Sequence, residues 1–395
     1  MRAVNSLRLK KIQEQMSASG YDLFITSAPE NIYYLSNFRS IGQKVIPATQ
    51  LYGVIPANED AVWLVAPIAD VPTIYESGYP LDRVVAYGNF YFESLDQSYL
   101  ADKVGELAGK LFPDPLQALV FLLEDRFNSA VNIGVDTRNI NVDRWGQLVA
   151  AQHKRKFSVA DSFFYAVRKI KEDSEIVLLE KAAEIAEDSM FTALKQAKPG
   201  MTENDLRCIF ETEVTKRGAD NLFAVFSSGE RAAYVDTHTT GRLLKKGDLI
   251  RCDLGCTYQG YKSDLSRTAV IGRPDKKQQQ YYDAVLRGQK KAIEIIKPGV
   301  RAADVYDTAM KAARDAGLSH YKRGHCGHGI GLEVYEPPSI NNSDATALQA
   351  GMVICVETPY YEIGWGGVQV EDMVLVTDSG SRLLSKSEFG LIVLD

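Results

Sequence analysis

The sequence predicts an α/β domain followed by an α+β domain built from an internal duplication, and three observations point there. In the first half, helix-patterned and strand-like segments alternate. From Asp173 onward, apolar residues recur three or four apart, the mark of a long amphipathic helix. The second half then repeats its own landmarks. Lys198-Pro199-Gly200-Met201 returns 99 residues on as Lys297-Pro298-Gly299-Val300, and Gly247-Asp248-Leu249-Ile250 returns 104 residues on as Gly351-Met352-Val353-Ile354. The boundary is expected near residue 165, giving domains 1–165 and 166–395.

In chain order, Leu7 to Met16 reads as a helix, Tyr21 to Thr26 as a short buried strand and Ala28-Pro29-Glu30-Asn31 as a turn. The apolar runs Leu51 to Ile55, Ala61 to Ala66 and Ala118 to Leu123 read as further strands. Ile176, Leu179, Ala183, Ala186, Met190, Leu194 and Ala197 form one stripe of the long helix, which Pro199-Gly200 stops. Thr202 with Asp205 three residues later has the form of a capping box, and the helix it opens ends near Gly218.

Composition narrows the function. Lys and Arg total 45 against 51 Asp and Glu, a net charge of −6, which disfavours nucleic acid or an anionic membrane as the main partner. No apolar run is long enough to span a bilayer, and the segment from Met1-Arg2 to Lys10-Lys11 has no apolar signal core. Five cysteines, an odd number absent from the first half, argue against a disulfide framework and for a reducing cytoplasm. Cys252 and Cys256 lack the second thiol pair of a structural zinc site and read as buried thiols.

Four carboxylates then stand out. Asp253, Glu357 and Glu371 interrupt β-like apolar runs, and Asp264 lies between two such runs. An ionised carboxylate there costs several kcal/mol unless it is paired or metal-bound. With the 104-residue offset Asp253 falls on Glu357, and Asp264 falls near Glu371. A capped turn or an arginine partner would explain any one of them. Four related by a repeat ask for a common cause, and a dinuclear site of divalent cations supplies it. Oxygen-rich ligation suits Mn²⁺ or a similar ion, and His325 or His328 would add an imidazole.

These motifs resemble a known family. Gly247-Asp248-x₄-Asp253-x-Gly255, Ser263-Asp264-x-x-Arg267-Thr268, Gly327-His328-Gly329-Ile330-Gly331-Leu332-Glu333, Glu357-x-Pro359 and Val370-Glu371-Asp372 are similar to the pita-bread metallopeptidases, in their Xaa-Pro branch of prolidase and aminopeptidase P. The resemblance covers nearly the whole chain, including Asn31-Ile32-Tyr33-Tyr34-Leu35. It implies that Asp253 chelates one metal, His328 and Glu357 hold the other, and Asp264 and Glu371 bridge the two. It further implies that a hydroxide between the metals is the nucleophile and Glu357 its general base. Mn²⁺ is the expected ion, with Co²⁺ or Zn²⁺ as alternatives. All five ligands are present, unlike in the creatinase branch.

Three positions depart from the family pattern. Its second motif histidine is Tyr335, its arginine two residues before the last ligand is Gln369, and its upstream histidine falls on Asp236, with His238 two residues away. The resemblance therefore implies hydrolysis of Xaa-Pro dipeptides, with aminopeptidase action or another small C–N substrate as alternatives. A non-catalytic binding module would predict a broken ligand set. Tyr335 and His238 are expected to assist catalysis. Arg39 and His325, together with Tyr335, are expected to touch substrate, Arg39 by reading its free carboxylate. The partners expected are a small peptide substrate and a second copy in a homodimer.

Overall fold

The structure is a computed structural model that describes residues 6–46, 48–93, 97–386 and 390–395. Met1 and Arg2, used above in reading the N-terminus, lie outside the described residues. The chain divides into two compact units, Met1–Val167 and Arg168–Asp395.

The first unit is a six-stranded mixed sheet flanked by helices. Its strand order is Val84–Tyr87, Trp63–Pro67, Tyr52–Pro56, Leu23–Thr26, Asn132–Asp136, Lys156–Val159. Two expectations fail here. Ala118 to Leu123 is not a strand but part of the helix Pro115–Arg126, started by Asp114, whose side chain accepts from the backbone of Leu116 and Gln117. Ala118, Leu119, Leu122 and Leu123 are buried against the sheet while Phe121 is exposed, a helical repeat that a six-residue apolar window cannot reveal. The turn assigned to Ala28–Asn31 is the start of the helix Pro29–Ser36, with Pro29 in the first turn, where its missing N–H costs nothing.

The second unit carries the duplication in three dimensions. Helices Asp173–Leu194 and Glu203–Lys216 precede strands Asp220–Ser228, Leu249–Tyr258 and Leu265–Ile271. Helices Lys276–Ile295 and Ala302–Asp315 then precede Gly327–Gly329, Val353–Glu357 and Glu371–Val376. Thr202 and Asp205 do form a capping box. The helix–helix junctions match closely. Gly200 and Gly299 turn with φ of +89° and +90°, and the bridges Thr202↔Leu243 and Arg301↔Ala347 keep the 99- and 104-residue offsets.

All six strands join one ten-stranded sheet whose main path is Glu336–Ser339, Gly327–Gly329, Val353–Glu357, Glu371–Val376, Leu265–Ile271, Leu249–Tyr258, Asp220–Ser228. The two repeats meet where Ser266 pairs with Glu371. Among the described residues, no helix is long and apolar enough to cross a membrane. All five cysteines are free, and all but Cys208 are buried.

Candidate metal centre

Antiparallel register places the carboxylates in a row. Asp253 faces Ser266, Ser266 faces Glu371, and Glu371 faces Glu357, so one line crosses four strands. Directly opposed residues point to the same face, with Cβ atoms about 4.5–5.5 Å apart. Asp264 lies two residues before Ser266, on that same face. His328 faces Cys355, two residues before Glu357. The approach of the histidine strand requires glycine: a Cβ on Gly327, whose φ is +142°, would lie 2.0 Å from the Cys355 carbonyl oxygen.

Ionised carboxylates opposed in a buried row repel one another unless a cation lies among them. Asp264, His328, Glu357 and Glu371 are all buried, and Asp253 nearly so. Burial pushes Asp264 and Glu371 well above the usual carboxylate range, and the neighbouring carboxylates push the same way. Burial likewise raises Asp253, with Asp236 adding to the push and Arg251 opposing it. Glu357 is raised to about 7 by burial, against the pull of Arg323. Burial lowers His328 to about 4, so its imidazole is neutral at pH 7.

The donor set fits a divalent cation. Asp264 Oδ1, His328 Nε2 and Glu371 Oε1 are buried without a hydrogen-bond partner among the described residues. His328 Nε2 lies 3.6 Å from Asp264 Oδ2 and 3.9 Å from Glu371 Oε1, too far for hydrogen bonds. Its other ring nitrogen is 3.0 Å from the Gly329 carbonyl oxygen, a bond that leaves the Nε2 lone pair turned towards the carboxylates. Ligand atoms of Asp264, His328, Glu371 and Cys355 all lie within 4.8 Å of one another. Cys355 was hidden in the sequence within an apolar run; only strand alternation from Glu357 reveals that it shares the ligand face.

The other two expected ligands stand along the row in the grip of cations. Arg251 Nη1 donates to Asp253 Oδ2 at 3.2 Å and to Gln369 Oε1 at 2.9 Å, and Gln369 Nε2 donates to the same Asp253 oxygen at 3.2 Å. Arg251 is fully buried, and its remaining donors bind the carbonyl oxygens of Ala232, Tyr234 and Val235. Sequence reasoning missed it, although its place two residues before Asp253 puts it on the same strand face. Glu357 lies 3.2 Å from His325 Nδ1 and 3.6 Å from Arg323 Nη2.

The remaining expected residues fall in different places. Tyr335 is 62% exposed and stacks on the His328 ring, centroids 3.8 Å apart. His238 is exposed, and its backbone carbonyl accepts from Arg231. In that segment it is Asp236, not His238, whose charge reaches Asp253 and Glu357. Arg39 belongs to the first unit, exposed, its guanidinium 5.8 Å from the Tyr33 ring centroid.

Known proteins agree with this architecture. Residues 177–378 match metallopeptidase family M24, and residues 8–170 match the creatinase/prolidase N-terminal domain. An Xaa-Pro dipeptidase from Pyrococcus horikoshii is 30% identical over 389 residues, covering 98% of both chains. The crystal structure of the prolidase from Pyrococcus horikoshii superposes with a TM-score of 0.81 at 29% identity, over 98% of this chain and 100% of the other. The prolidase from Pyrococcus furiosus gives 0.77 at 28% identity, over 95% and 99%. With the expected two-domain pita-bread fold in place, the chain is an enzyme that belongs to metallopeptidase family M24 and carries a creatinase/prolidase N-terminal domain.

Proposed function

We propose that the protein hydrolyses the Xaa-Pro bond of dipeptides with the help of divalent metal ions. One observation supports this most: a buried row of carboxylates whose orphaned oxygen atoms face a histidine nitrogen that also lacks a partner. The full-length likeness to an Xaa-Pro dipeptidase supports the substrate class. In this reading Asp253, Asp264, His328, Glu357 and Glu371 hold two ions, Mn²⁺ first among candidates because the donors are mostly oxygen. Such ions polarise a carbonyl and supply a water activated at neutral pH.

The chain's own residues do the rest. Glu357 accepts the proton of the attacking water and passes it to the departing proline nitrogen. His325, beside Glu357, faces the substrate's polar groups. His238, exposed in the segment that carries Asp236, assists catalysis in this reading. The enzyme acts as a cytoplasmic homodimer on small peptides. A release assay over Xaa-Pro dipeptides, longer Xaa-Pro peptides and non-proline controls tests the whole. Cleavage confined to a non-proline amide would replace it with the alternative that Tyr335 and Gln369 favour.

Tyr335 yields a sharper expectation. Local desolvation and then the surrounding carboxylates push its phenol upward, so it remains a protonated donor at neutral pH. Placed over the His328 ring, the hydroxyl donates to negative charge developing on the scissile carbonyl. Tyr335→Phe should lower kcat roughly 10²- to 10³-fold with metal content unchanged. Activity within twofold of the parent would reduce Tyr335 to a packing role.

A further inference from the structure

Beside the carboxylate row lies a second row of side chains, and there the chain departs from its family. Asp253, Ser266 and Glu371 stand side by side across three strands. Two residues along, Arg251 faces Thr268, and Thr268 holds Gln369 on its other side. The family pattern puts an arginine at the Gln369 position, two residues before the last ligand. Here that position holds an amide. An arginine stands instead at the opposite end of the row, two residues before Asp253.

Both residues are buried and firmly placed. The Thr268 hydroxyl oxygen accepts from the Gln369 N–H at 2.8 Å and donates to the Gln369 carbonyl at 2.9 Å. Hydrogen-bond chemistry then fixes which way the amide points. Arg251 Nη1 donates to Gln369 Oε1 at 2.9 Å, and the Tyr361 hydroxyl donates to the same oxygen at 3.1 Å. A guanidinium can only donate, so the amide oxygen must face it and the NH₂ must turn to the carboxylates. Gln369 Nε2 lies 3.2 Å from Asp253 Oδ2 and 3.4 Å from Glu371 Oε2. Arg251 Nη1 also reaches Asp253 Oδ2 directly, at 3.2 Å.

One cation thus acts on the first proposed ligand by contact and on the last through an amide. In Glu371 the amide approaches Oε2, while Oε1 is the oxygen without a partner among the described residues. The donors therefore orient both carboxylates without occupying that oxygen. An arginine at 369 as well would bury a second positive charge against Arg251, so the two positions call for one arginine between them. We propose that Arg251 and Gln369 form one positioning unit for the metal ligands, a guanidinium moved across the row with an amide that relays its polarity to Glu371. This inference rests on the metal-centre reading above. It makes Gln369 the mark of a relocated arginine.

The test moves the arginine back. Metal-free parent, Arg251→Gln, Gln369→Arg and the double variant are titrated with MnCl₂ by calorimetry, with circular dichroism and melting temperature as controls for fold. The parent should take up Mn²⁺. Arg251→Gln should weaken its tightest binding roughly 10- to 100-fold, the range for losing a partner of a ligand. Gln369→Arg, which adds buried like charge, should weaken it at least as much. The double variant should bind more tightly than either single one. Its recovery should be partial, because Arg251 also holds the carbonyl oxygens of Ala232, Tyr234 and Val235. Release of proline from alanyl-proline at limiting Mn²⁺ should follow the same order. A double variant no better than the worse single one would overturn the inference, since independent structural roles predict additive losses. Gln369→Leu keeps the arginine and removes only the relay, so it serves if an arginine variant fails to fold. Undiminished Mn²⁺ affinity in Gln369→Leu would likewise overturn the inference. A folded parent that binds no divalent ion would instead overturn the metal-centre reading, a result distinct from both.

Discussion

Glu371→Gln should abolish turnover and, in metal-free protein, raise the melting temperature. The two effects share one cause. Glu371 is buried opposite Glu357, and burial opposes the ionised form of both side chains. Without a cation, the row stores repulsion and desolvation that an amide relieves, because a neutral side chain pays no penalty for burying charge. With cations held as proposed, the carboxylate that was a burden would become a ligand. Its loss should cost more than the roughly 10- to 100-fold typical of removing an outer-shell partner. Asp264→Ala and His328→Ala should behave alike in activity. Elemental analysis of the protein, with thermal melts before and after chelation, checks both halves of the expectation. Chelation should lower the parent's melting temperature and leave that of Glu371→Gln nearly unmoved. Full activity in metal-free parent protein would end the metal hypothesis.

Arg267→Met should destabilise the second unit by about 3–5 kcal/mol, the range for removing one partner of a buried ion pair. Arg267 Nη2 is 2.7 Å from Asp372 Oδ1, and Asp372 is fully buried. Gln289 and Ser385 also donate to that carboxylate, but neither neutralises its charge. The same guanidinium holds the Glu371 carbonyl oxygen at 2.7 Å, so the backbone of a proposed ligand moves with it. Urea unfolding monitored across the whole chain should show an early transition in the variant. The pair Arg267→Met with Asp372→Leu should recover part of the loss, since it removes the Asp372 charge and leaves only the more distant Glu187, 3.9 Å from Arg267, without this cation. Equal destabilisation in single and double variants would point to lost packing instead.

What could be read in the sequence follows from how local the causes are. The stripe that starts at Ile176, whose helix ends at Leu194 short of the expected Ala197, the Thr202–Asp205 cap and the Gly200 and Gly299 turns are decided within a few residues, and each left a visible pattern. The proposed ligands were visible for another reason: a carboxylate in a buried strand contradicts its surroundings, and the duplication shows the contradiction more than once. Ala118 to Leu123 misled because a short apolar run fits helix and strand equally until its packing partner is known. Arg251, Arg323 and Cys355 stayed hidden because their roles depend on cross-strand register and on loop placement. Neither shows in local patterning.

The narrow seam at Ser266↔Glu371 makes this centre a joint between two half-chains. Asp253 and Asp264 come from the first repeat; His328, Glu357 and Glu371 come from the second. Neither half carries all five proposed ligands. The C-terminal strand Ile392–Leu394 crosses back to pair with Leu265–Ile271, adding a strap from one half to the other. Cutting the chain between Ile271 and Lys276 would turn metal loading into a bimolecular assembly reaction. The two fragments should associate more tightly as divalent ions are added, and the ions would act as the fastener that the covalent link made unnecessary.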